Sequence, residues 1–346
     1  MKILIIGGTG LISTSITRLL LEQKADVTLF NRGQSKSRFP TGAKQITGDR
    51  RDFAAFERLV REASPFDCAI DMICYRPDEA ECDVRVFGAH TKQFIFCSTI
   101  DVYAKPARRY PYRDDEPHEG LGDYALNKVR CEAIFAQAQR AGALNVTTIR
   151  PAWTYGEGRG LLFPFGGDVT LTRMSCGKPI VVHGDGTSLW VGCHADDVAG
   201  AFVKAIGNAR AFGKSYHATG EEPLTWDQYY RVVAEALGAP PPRLVHIPSE
   251  LLARVAPERA AWCEINFKYC NIFDNSAART DLGFRYTIPL LEGARRVIGS
   301  LREQGRIPAS DNDPEYERVL AEWQRLRAAM ERAFCGSKPE LRPRDL

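Results

Sequence analysis

The sequence lacks the paired cysteines that zinc sites and redox motifs require. Its ten cysteines are scattered, and no two of them are spaced as C-x-x-C, which argues against a zinc site or a redox pair. We therefore predict that the protein has no metal site. Because a free cysteine inside an apolar segment packs as a small hydrophobic residue, the simplest interpretation is a reduced chain in the cytoplasm.

Long apolar runs and a strong net charge are missing as well. No run reaches the roughly 18 residues that a membrane span needs, and we interpret residues 1–6 as a first strand rather than a signal peptide. Lysine and arginine number 46 against 43 acidic residues, a formal net charge of +3. The basic pairs are isolated from one another. We therefore expect neither a membrane nor a nucleic acid as partner.

What is present is an alternation of strand and helix patterns up to about residue 152. This alternation predicts an α/β fold, a Rossmann-like doubly wound parallel sheet. From Trp153 the alternation breaks, and glycine, proline and aromatic residues become frequent. We predict a dinucleotide-binding domain over 1–152, with strands returned from later segments. A smaller mixed α/β substrate region follows over 153–310, and a C-terminal helix and tail over 311–346.

A glycine turn follows the first predicted strand, in the pattern Gly7-x-x-Gly10-x-x-Ser13. A sharp turn into a helix suits a pyrophosphate, because glycine lets the phosphate approach and the helix start offers free N–H groups. The pattern departs from GxGxxG, and glycines also close ordinary turns. The strand before it and the helix after it favour dinucleotide binding. The predicted cofactor residues of this turn are Gly7, Gly8, Thr9, Gly10, Leu11 and Ile12.

Asn31 follows the second predicted strand, where dinucleotide folds place an acidic residue on the adenosine ribose. Arg32, Lys36 and Arg38 come close behind it. A carboxylate would repel a 2′-phosphate, whereas an amide with nearby cations would accept one. We therefore favour NADP over NAD, with Asn31, Arg32 and Lys36 in contact with it. The alternative is a solvated basic loop.

Other strand ends offer further cofactor contacts. Asp49 follows the third predicted strand, with Asp52 just beyond it. A carboxylate there is placed either to bond the adenine amino group or to cap the helix that starts near Phe53. Ile73 and Cys74 follow the fourth strand and are predicted to lie over the cofactor.

Tyr124 and Lys128 are the main catalytic candidates. Four residues apart on a predicted helix, they share a face. A lysine ammonium near a phenol stabilises the phenolate, so the tyrosine can exchange a proton near neutral pH. The pair alone is common on helix surfaces. Here it follows Thr99, which ends the fifth predicted strand and is placed to bond the same substrate oxygen.

Together with Arg150-Pro151, these motifs make the chain resemble the extended short-chain dehydrogenase/reductases, in particular the NAD-dependent epimerase/dehydratase family acting on sugar nucleotides. The resemblance covers about residues 1–300. It implies a bound nicotinamide dinucleotide, transient hydride removal from a carbinol, and Tyr124 as the acid/base. It also implies that Lys128 touches the nicotinamide ribose, that Pro151 contacts the cofactor, and that Ser13 lines the pyrophosphate with the glycines.

The chain departs from this family at the substrate. Sugar-nucleotide 4,6-dehydratases carry Asp-Glu after the threonine, and here Ile100 and Asp101 stand there, which disfavours that dehydration. Trp190 replaces the arginine that holds a nucleotide diphosphate in the epimerases, and Trp153 replaces an asparagine near the sugar. The predicted substrate residues are Asp101, Trp153 and Trp190. If the substrate is a nucleotide sugar, the candidate replacement cations are Arg159, Lys178 and Arg279.

The leading interpretation is an NAD(P)-dependent sugar epimerase or oxidoreductase of carbohydrate metabolism. A net NADP-dependent reductase or dehydrogenase of a non-nucleotide sugar or polyol is an alternative. A non-catalytic family member that senses dinucleotides or binds RNA is another. The complete set of Thr99, Tyr124 and Lys128 favours an enzyme, since a sensor needs none of it. A homodimer is left open.

Overall fold

The computed structural model describes residues 1–34, 40–88 and 90–335. Its strands, in chain order, are β1 (Lys2–Ile6), β2 (Asp26–Asn31), β3 (Lys44–Thr47), β4 (Phe66–Asp71), β5 (Thr91–Cys97), β6 (Val146–Pro151), β7 (Trp153–Tyr155), β8 (Pro179–His183), β9 (Leu189–Trp190), β10 (Gly192–His194), β11 (Lys214–Ala218), β12 (Leu224–Thr225) and β13 (Arg243–Ile247).

The α-helices, in chain order, are α1 (Leu11–Glu22), α2 (Phe53–Ala63), α3 (Pro77–Phe87), α4 (Gly122–Arg140), α5 (Val169–Ser175), α6 (Ala195–Ala205), α7 (Trp226–Leu237), α8 (Ser249–Val255), α9 (Pro257–Trp262), α10 (Leu290–Glu303) and α11 (Pro314–Cys335). Two π-helical turns cover Cys263–Phe267 and Ala278–Leu282. None of the helices in the described ranges combines the length and apolarity needed to cross a membrane.

Seven strands form one sheet in the order β3-β2-β1-β4-β5-β6-β11, and all its neighbours run parallel. The prediction of a Rossmann-like doubly wound sheet is confirmed. Its central strand, β1, is fully buried from Ile3 to Ile6, as expected for a parallel strand covered on both faces. Because chain order reverses between β1 and β4, a crevice opens at their carboxyl ends.

Helices cover both faces of the sheet. Ile3 and Ile5 of β1 point to one hydrophobic cluster with α1 and α6, while Leu4 and Ile6 point to another with α2, α3 and α4. This division follows from the alternation of side chains along a strand. It leaves the carboxyl edge of the sheet free for a site.

The region after residue 152 has its own core, in which α5, α7 and α10 surround the parallel pair β8 and β13. It also returns elements to the sheet. Strand β11 pairs with β6, and α6 lies against α1, where the Ser15 hydroxyl donates to the Asp196 carboxylate at 2.7 Å. Elements that follow residue 152 in sequence therefore pack on the seven-stranded sheet and connect it to the substrate region.

Candidate active site

A cavity of about 880 Å³ lies at the carboxyl ends of β1, β4, β5 and β6, which is where open α/β sheets bind ligands. The predicted site residues that line it are Gly7, Gly10, Leu11, Ile12, Ile73, Thr99, Asp101, Tyr124, Lys128, Pro151, Trp153 and Trp190. The described residues that we predicted but that lie outside its lining are Gly8, Thr9, Asn31, Arg32, Asp49 and Cys74. Lys36 is outside the described residues.

The glycine turn fits a dinucleotide pyrophosphate. Gly7 has a φ of +83°, and a Cβ there would lie 2.5 Å from Cγ2 of Ile73, so no other residue fits without a shift. The buried Ser13 hydroxyl accepts from the Gly10 N–H at 2.8 Å and donates to the Gly7 carbonyl at 2.8 Å. Serine in the third position thus closes the turn that opens α1, whose first residues line the cavity and carry N–H groups that a helix start leaves free.

Asn31 ends β2 beside the next strand. Its Oδ1 accepts from the Gly33 N–H at 2.9 Å and from Nε2 of Gln45 at 2.8 Å. Its Nδ2 is buried and has no partner among the described residues. The side chain therefore offers a donor, which suits phosphate or ribose oxygens. Arg32 is exposed next to it.

The two aspartates after β3 divide the roles that the sequence left open. Asp52 accepts from the Ala55 N–H at 3.1 Å and caps α2. Asp49 is exposed and accepts from the Arg51 N–H at 2.9 Å. Capping therefore belongs to Asp52, and Asp49 remains the residue of the two that is free to meet an adenine.

Cys74 turns its side chain away from the cavity. Its Sγ lies in the core, 3.9 Å from Sγ of Cys131, so this arrangement offers no side-chain contact with a cofactor. Its carbonyl instead accepts from Nζ of Lys128 at 2.9 Å. Tyr75, the next residue, lines the cavity.

Helix α4 brings Tyr124 and Lys128 to the same wall. Tyr124 is 44% exposed, whereas Lys128 is 1% exposed. The ammonium of Lys128 donates to the carbonyls of Cys74 and Cys97 at 2.9 and 2.6 Å and lies 5.9 Å from the centre of the Tyr124 ring. Because an ammonium has three donors, one is left for a ligand.

The pKa of the Tyr124 phenol is shifted upward, opposite to the shift towards neutral pH that we expected from Lys128. Burial raises its pKa, and the nearby Cys97 and Asp101 act in the same direction, while a hydrogen bond with Thr99 opposes them. Thr99 caps the short 3-10 turn after β5 by accepting from the Asp101 N–H at 3.2 Å. Thr99 and Tyr124 therefore present two hydroxyls at one point of the cavity.

Aromatic side chains line the substrate half, and we call Trp153, Trp190, Trp262 and Phe267 the aromatic wall. Trp190 is part of the core as well, because it stacks on Trp226 with ring centres 5.0 Å apart. The guanidinium of Arg159 lies 4.1 Å above the Trp153 ring. Lys178 and Arg279, the other candidate cations, pair with Asp311 and Glu221 outside this lining.

Asn266 was not predicted from the sequence. The π-helical turn Cys263–Phe267 brings it into the lining beside Phe267, and such turns are frequent at functional sites. Its Nδ2 donates to Oδ1 of Asp101 at 3.3 Å, and its Oδ1 is buried without a partner in the described chain. Burial raises the pKa of Asp101, although Lys105 opposes the shift.

Two further clusters have structural roles. Asp71, Cys74 and Asp83 have the spacing of metal ligands, but the guanidinium of Arg50 bonds both carboxylates at 2.7 and 2.6 Å. His194 caps α6 through Nδ1, which accepts from the Asp196 N–H at 3.2 Å.

The chain belongs to the NAD dependent epimerase/dehydratase family, which it matches over residues 3–77 and 80–218. This confirms the resemblance seen in the motifs. Among solved structures, the UDP-glucose 4-epimerase of Thermotoga maritima with UDP-glucose has a TM-score of 0.71. It shares 20% sequence identity, and the match covers 88% of this chain and 99% of that one. A likeness at this identity shows the fold.

Two relatives show how diverse the family is. The 2′-dehydrokanamycin reductase of Streptomyces kanamyceticus is 28% identical over 241 residues, which are 69% of this chain and 68% of that protein. The chloroplast stem-loop binding protein of 41 kDa b of Arabidopsis thaliana is 28% identical over 258 residues, 71% of this chain and 65% of that protein. The match therefore spans about two thirds of each relative's length.

Proposed function

We propose that the protein is an NAD(P)-dependent sugar epimerase or oxidoreductase that removes a hydride reversibly from a carbinol. The observation that carries this proposal is the single cavity that joins the glycine turn to Thr99, Tyr124 and Lys128. A nicotinamide dinucleotide, when bound, supplies the hydride acceptor. Its phosphates would meet the N-terminus of α1, and its nicotinamide ribose the free donor of Lys128.

Tyr124 acts as the acid and base in this proposal. Its raised pKa keeps the proton on the phenol when the site is not loaded, which suits protonation of a carbonyl oxygen in the reducing direction. Thr99 holds the same substrate oxygen through its hydroxyl. In the reverse step the ammonium of Lys128, 5.9 Å from the centre of the Tyr124 ring, would favour the phenolate.

A sugar or polyol suits the rest of the lining. The aromatic wall offers apolar faces on which a sugar ring can stack. Asp101 and Asn266 add a carboxylate and an amide joined by a hydrogen bond of 3.3 Å. Oδ1 of Asn266, which has no partner among the described residues, can accept a hydrogen bond from a substrate hydroxyl. The polar pair and the aromatic wall together suit a ligand that has hydroxyl groups at the edge of a ring and an apolar ring face.

The test is to analyse the purified protein for a retained nicotinamide dinucleotide and then to follow its reduction with a panel of sugars. A tightly retained dinucleotide that is reduced and reoxidised within one turnover indicates an epimerase. A dinucleotide that is released after a net change in its oxidation state indicates a dehydrogenase or a reductase. The proposal would be contradicted if the purified protein retained no dinucleotide and also bound none that was added.

We favour NADP as the cofactor, and Arg32 and Asn31 provide the test. Arg32→Ala should weaken the binding of NADP by about 10-fold, the value of a charge-assisted hydrogen bond, and the binding of NAD much less. Asn31→Asp keeps the oxygen that accepts from Gly33 and Gln45 but replaces the free donor with charge, so preference should shift towards NAD. Dissociation constants of both dinucleotides measure the effect.

The control for this pair is Arg58→Ala, which removes an exposed cation that pairs with Glu62 on α2. It should change neither dissociation constant. Equal changes in NADP and NAD affinity on Arg32→Ala would count against a 2′-phosphate contact.

RNA binding is the second candidate, because one relative of equal identity is a stem-loop binding protein. The formal net charge of +3 provides little attraction for phosphates. A gel-shift titration with a stem-loop RNA at physiological salt separates the two functions. Tight binding of the RNA, together with no reduction of the dinucleotide in the sugar assay, would favour this candidate.

A further inference from the structure

One cation of the substrate half has no carboxylate partner within the part of the chain that the structure describes. Arg159 lies in the loop after β7 and lines the cavity. It forms no ion pair with any of the described residues, and its titratable neighbours are the phenols of Tyr124 and Tyr75. Arg259, the other arginine of the lining, pairs with Asp313 at 2.6 Å and Glu315 at 3.2 Å. Of these two cations, only Arg159 is available for an anionic ligand.

The loop holds Arg159 between the two halves of the cavity. A Cβ at Gly158 would lie 3.5 Å from Cδ1 of Leu11, so the loop packs on the start of α1. The guanidinium stacks on Trp153 at 4.1 Å. Its charge reaches the phenols of Tyr124 and Tyr75, and burial lowers the pKa of Arg159. Arg159 is exposed and its guanidinium has no counter-ion among the described residues, so it is available for a charge-assisted hydrogen bond with an anion.

A second donor lies beside this cation. Nε1 of Trp153 is buried and has no hydrogen-bond partner within the described ranges. A guanidinium above the indole and an unused indole N–H together match the oxygens of a phosphate or carboxylate. Nε1 of Trp190 is likewise buried without a partner in the described ranges, but that ring is stacked on Trp226 in the core, and Arg159 lies over Trp153 instead.

We propose that Arg159 and Trp153 form an anion subsite that binds a phosphate or carboxylate group of the substrate. The inference rests on the proposed function, since it names the charged group that the substrate carries. The subsite lies on the loop after β7 instead of at Trp190, where epimerases of this family carry their arginine. Arg159 is thus a specificity-determining residue that separates anionic sugars from neutral ones.

Calorimetry on the protein saturated with NADP tests the subsite without any need for turnover. The probes are UDP, glucose 1-phosphate, glucuronate and methyl glucoside, which carry a diphosphate, a monophosphate, a carboxylate and no charge. At least one anionic probe should bind more tightly than the glucoside. Arg159→Gln should raise the dissociation constant of that probe by about 10- to 100-fold, the range for a charge-assisted hydrogen bond. The dissociation constant of the glucoside should not change.

Arg279→Gln is the matched control, because Arg279 is an exposed arginine that pairs with Glu221 at 2.6 Å outside the lining. It should bind the anionic probe as the unaltered protein does. Arg159→Lys should retain part of the affinity, since it keeps the charge but loses the planar stack. Which probe responds identifies the anion.

Three results would overturn the proposal. They are equal anion affinity in the unaltered protein and Arg159→Gln, a loss confined to NADP affinity, and a glucoside that binds as tightly as every anion. Failure of the proposed function is a separate result. In that case no dinucleotide is reduced or retained, whereas the dependence of anion binding on Arg159 persists.

Discussion

Tyr124→Phe is expected to lower turnover by about 10²-fold or more, as loss of a general acid/base does. The substitution removes only the hydroxyl and keeps the ring that lies 5.9 Å from the Lys128 ammonium. Folding and dinucleotide binding should therefore be unchanged. The measurement is the rate of dinucleotide reduction, with the dissociation constant of the cofactor and the thermal unfolding midpoint as companions.

Two phenols of the same chain provide the controls. Tyr75 shares the cavity, with its ring centre 6.1 Å from that of Tyr124 and 4.9 Å from the Lys128 ammonium. Of the two phenols, however, it is Tyr124 that is hydrogen-bonded to Thr99. Tyr75→Phe should keep turnover within a few-fold. Tyr110 is exposed and outside the lining, so Tyr110→Phe should have no effect. Full activity in Tyr124→Phe, or a larger loss in Tyr75→Phe, would assign the proton transfer elsewhere.

The parts of the fold that could be predicted are those whose signal is local. Strand β1 is a short apolar run followed by glycine, and its burial on both faces explains why no polar residue interrupts Ile3 to Ile6. Helix α7, over Trp226–Leu237, has local signals at both of its ends. Thr225 and Gln228 form a capping box at its start, and Gly238 ends it in a left-handed conformation.

Other elements depend on partners distant in sequence. Strand β13 (Arg243–Ile247) alternates weakly and is a strand because it pairs with β8, more than sixty residues earlier. The π-helical turn that places Asn266 has no sequence pattern of its own. Without that turn, Asn266 would be one more polar residue near the end of α9.

The site shows the same division. The order of Thr99, Tyr124 and Lys128 along the chain predicts the proposed chemistry, since each residue ends a strand or lies on one helix face. Which way a side chain turns at a strand end is decided by packing. Cys74 faces Cys131 in the core, and only its carbonyl reaches Lys128. That Arg159 has no carboxylate partner among the described residues likewise depends on which side chains the fold brings near it.

Lys128→Met is expected to reduce both turnover and cofactor affinity, each by about 10- to 100-fold, the value of a hydrogen bond to a charged group. Methionine fills much of the same buried volume but has no ammonium. The charge beside Tyr124 is lost, and so is the donor left over after the carbonyls of Cys74 and Cys97 are satisfied. Stopped-flow reduction of the dinucleotide and its dissociation constant measure the two effects.

The control lies on the same helix. Arg130 is exposed on α4 and outside the cavity lining, so Arg130→Met removes a cation from the helix without touching the site. It should leave turnover and affinity unchanged. Because Lys128 is buried, thermal unfolding of Lys128→Met must show a folded protein at the assay temperature. If that folded variant kept both its turnover and its cofactor affinity, Lys128 would have no part in the site. A loss of turnover alone would restrict Lys128 to the proton transfer at Tyr124 and remove it from the ribose.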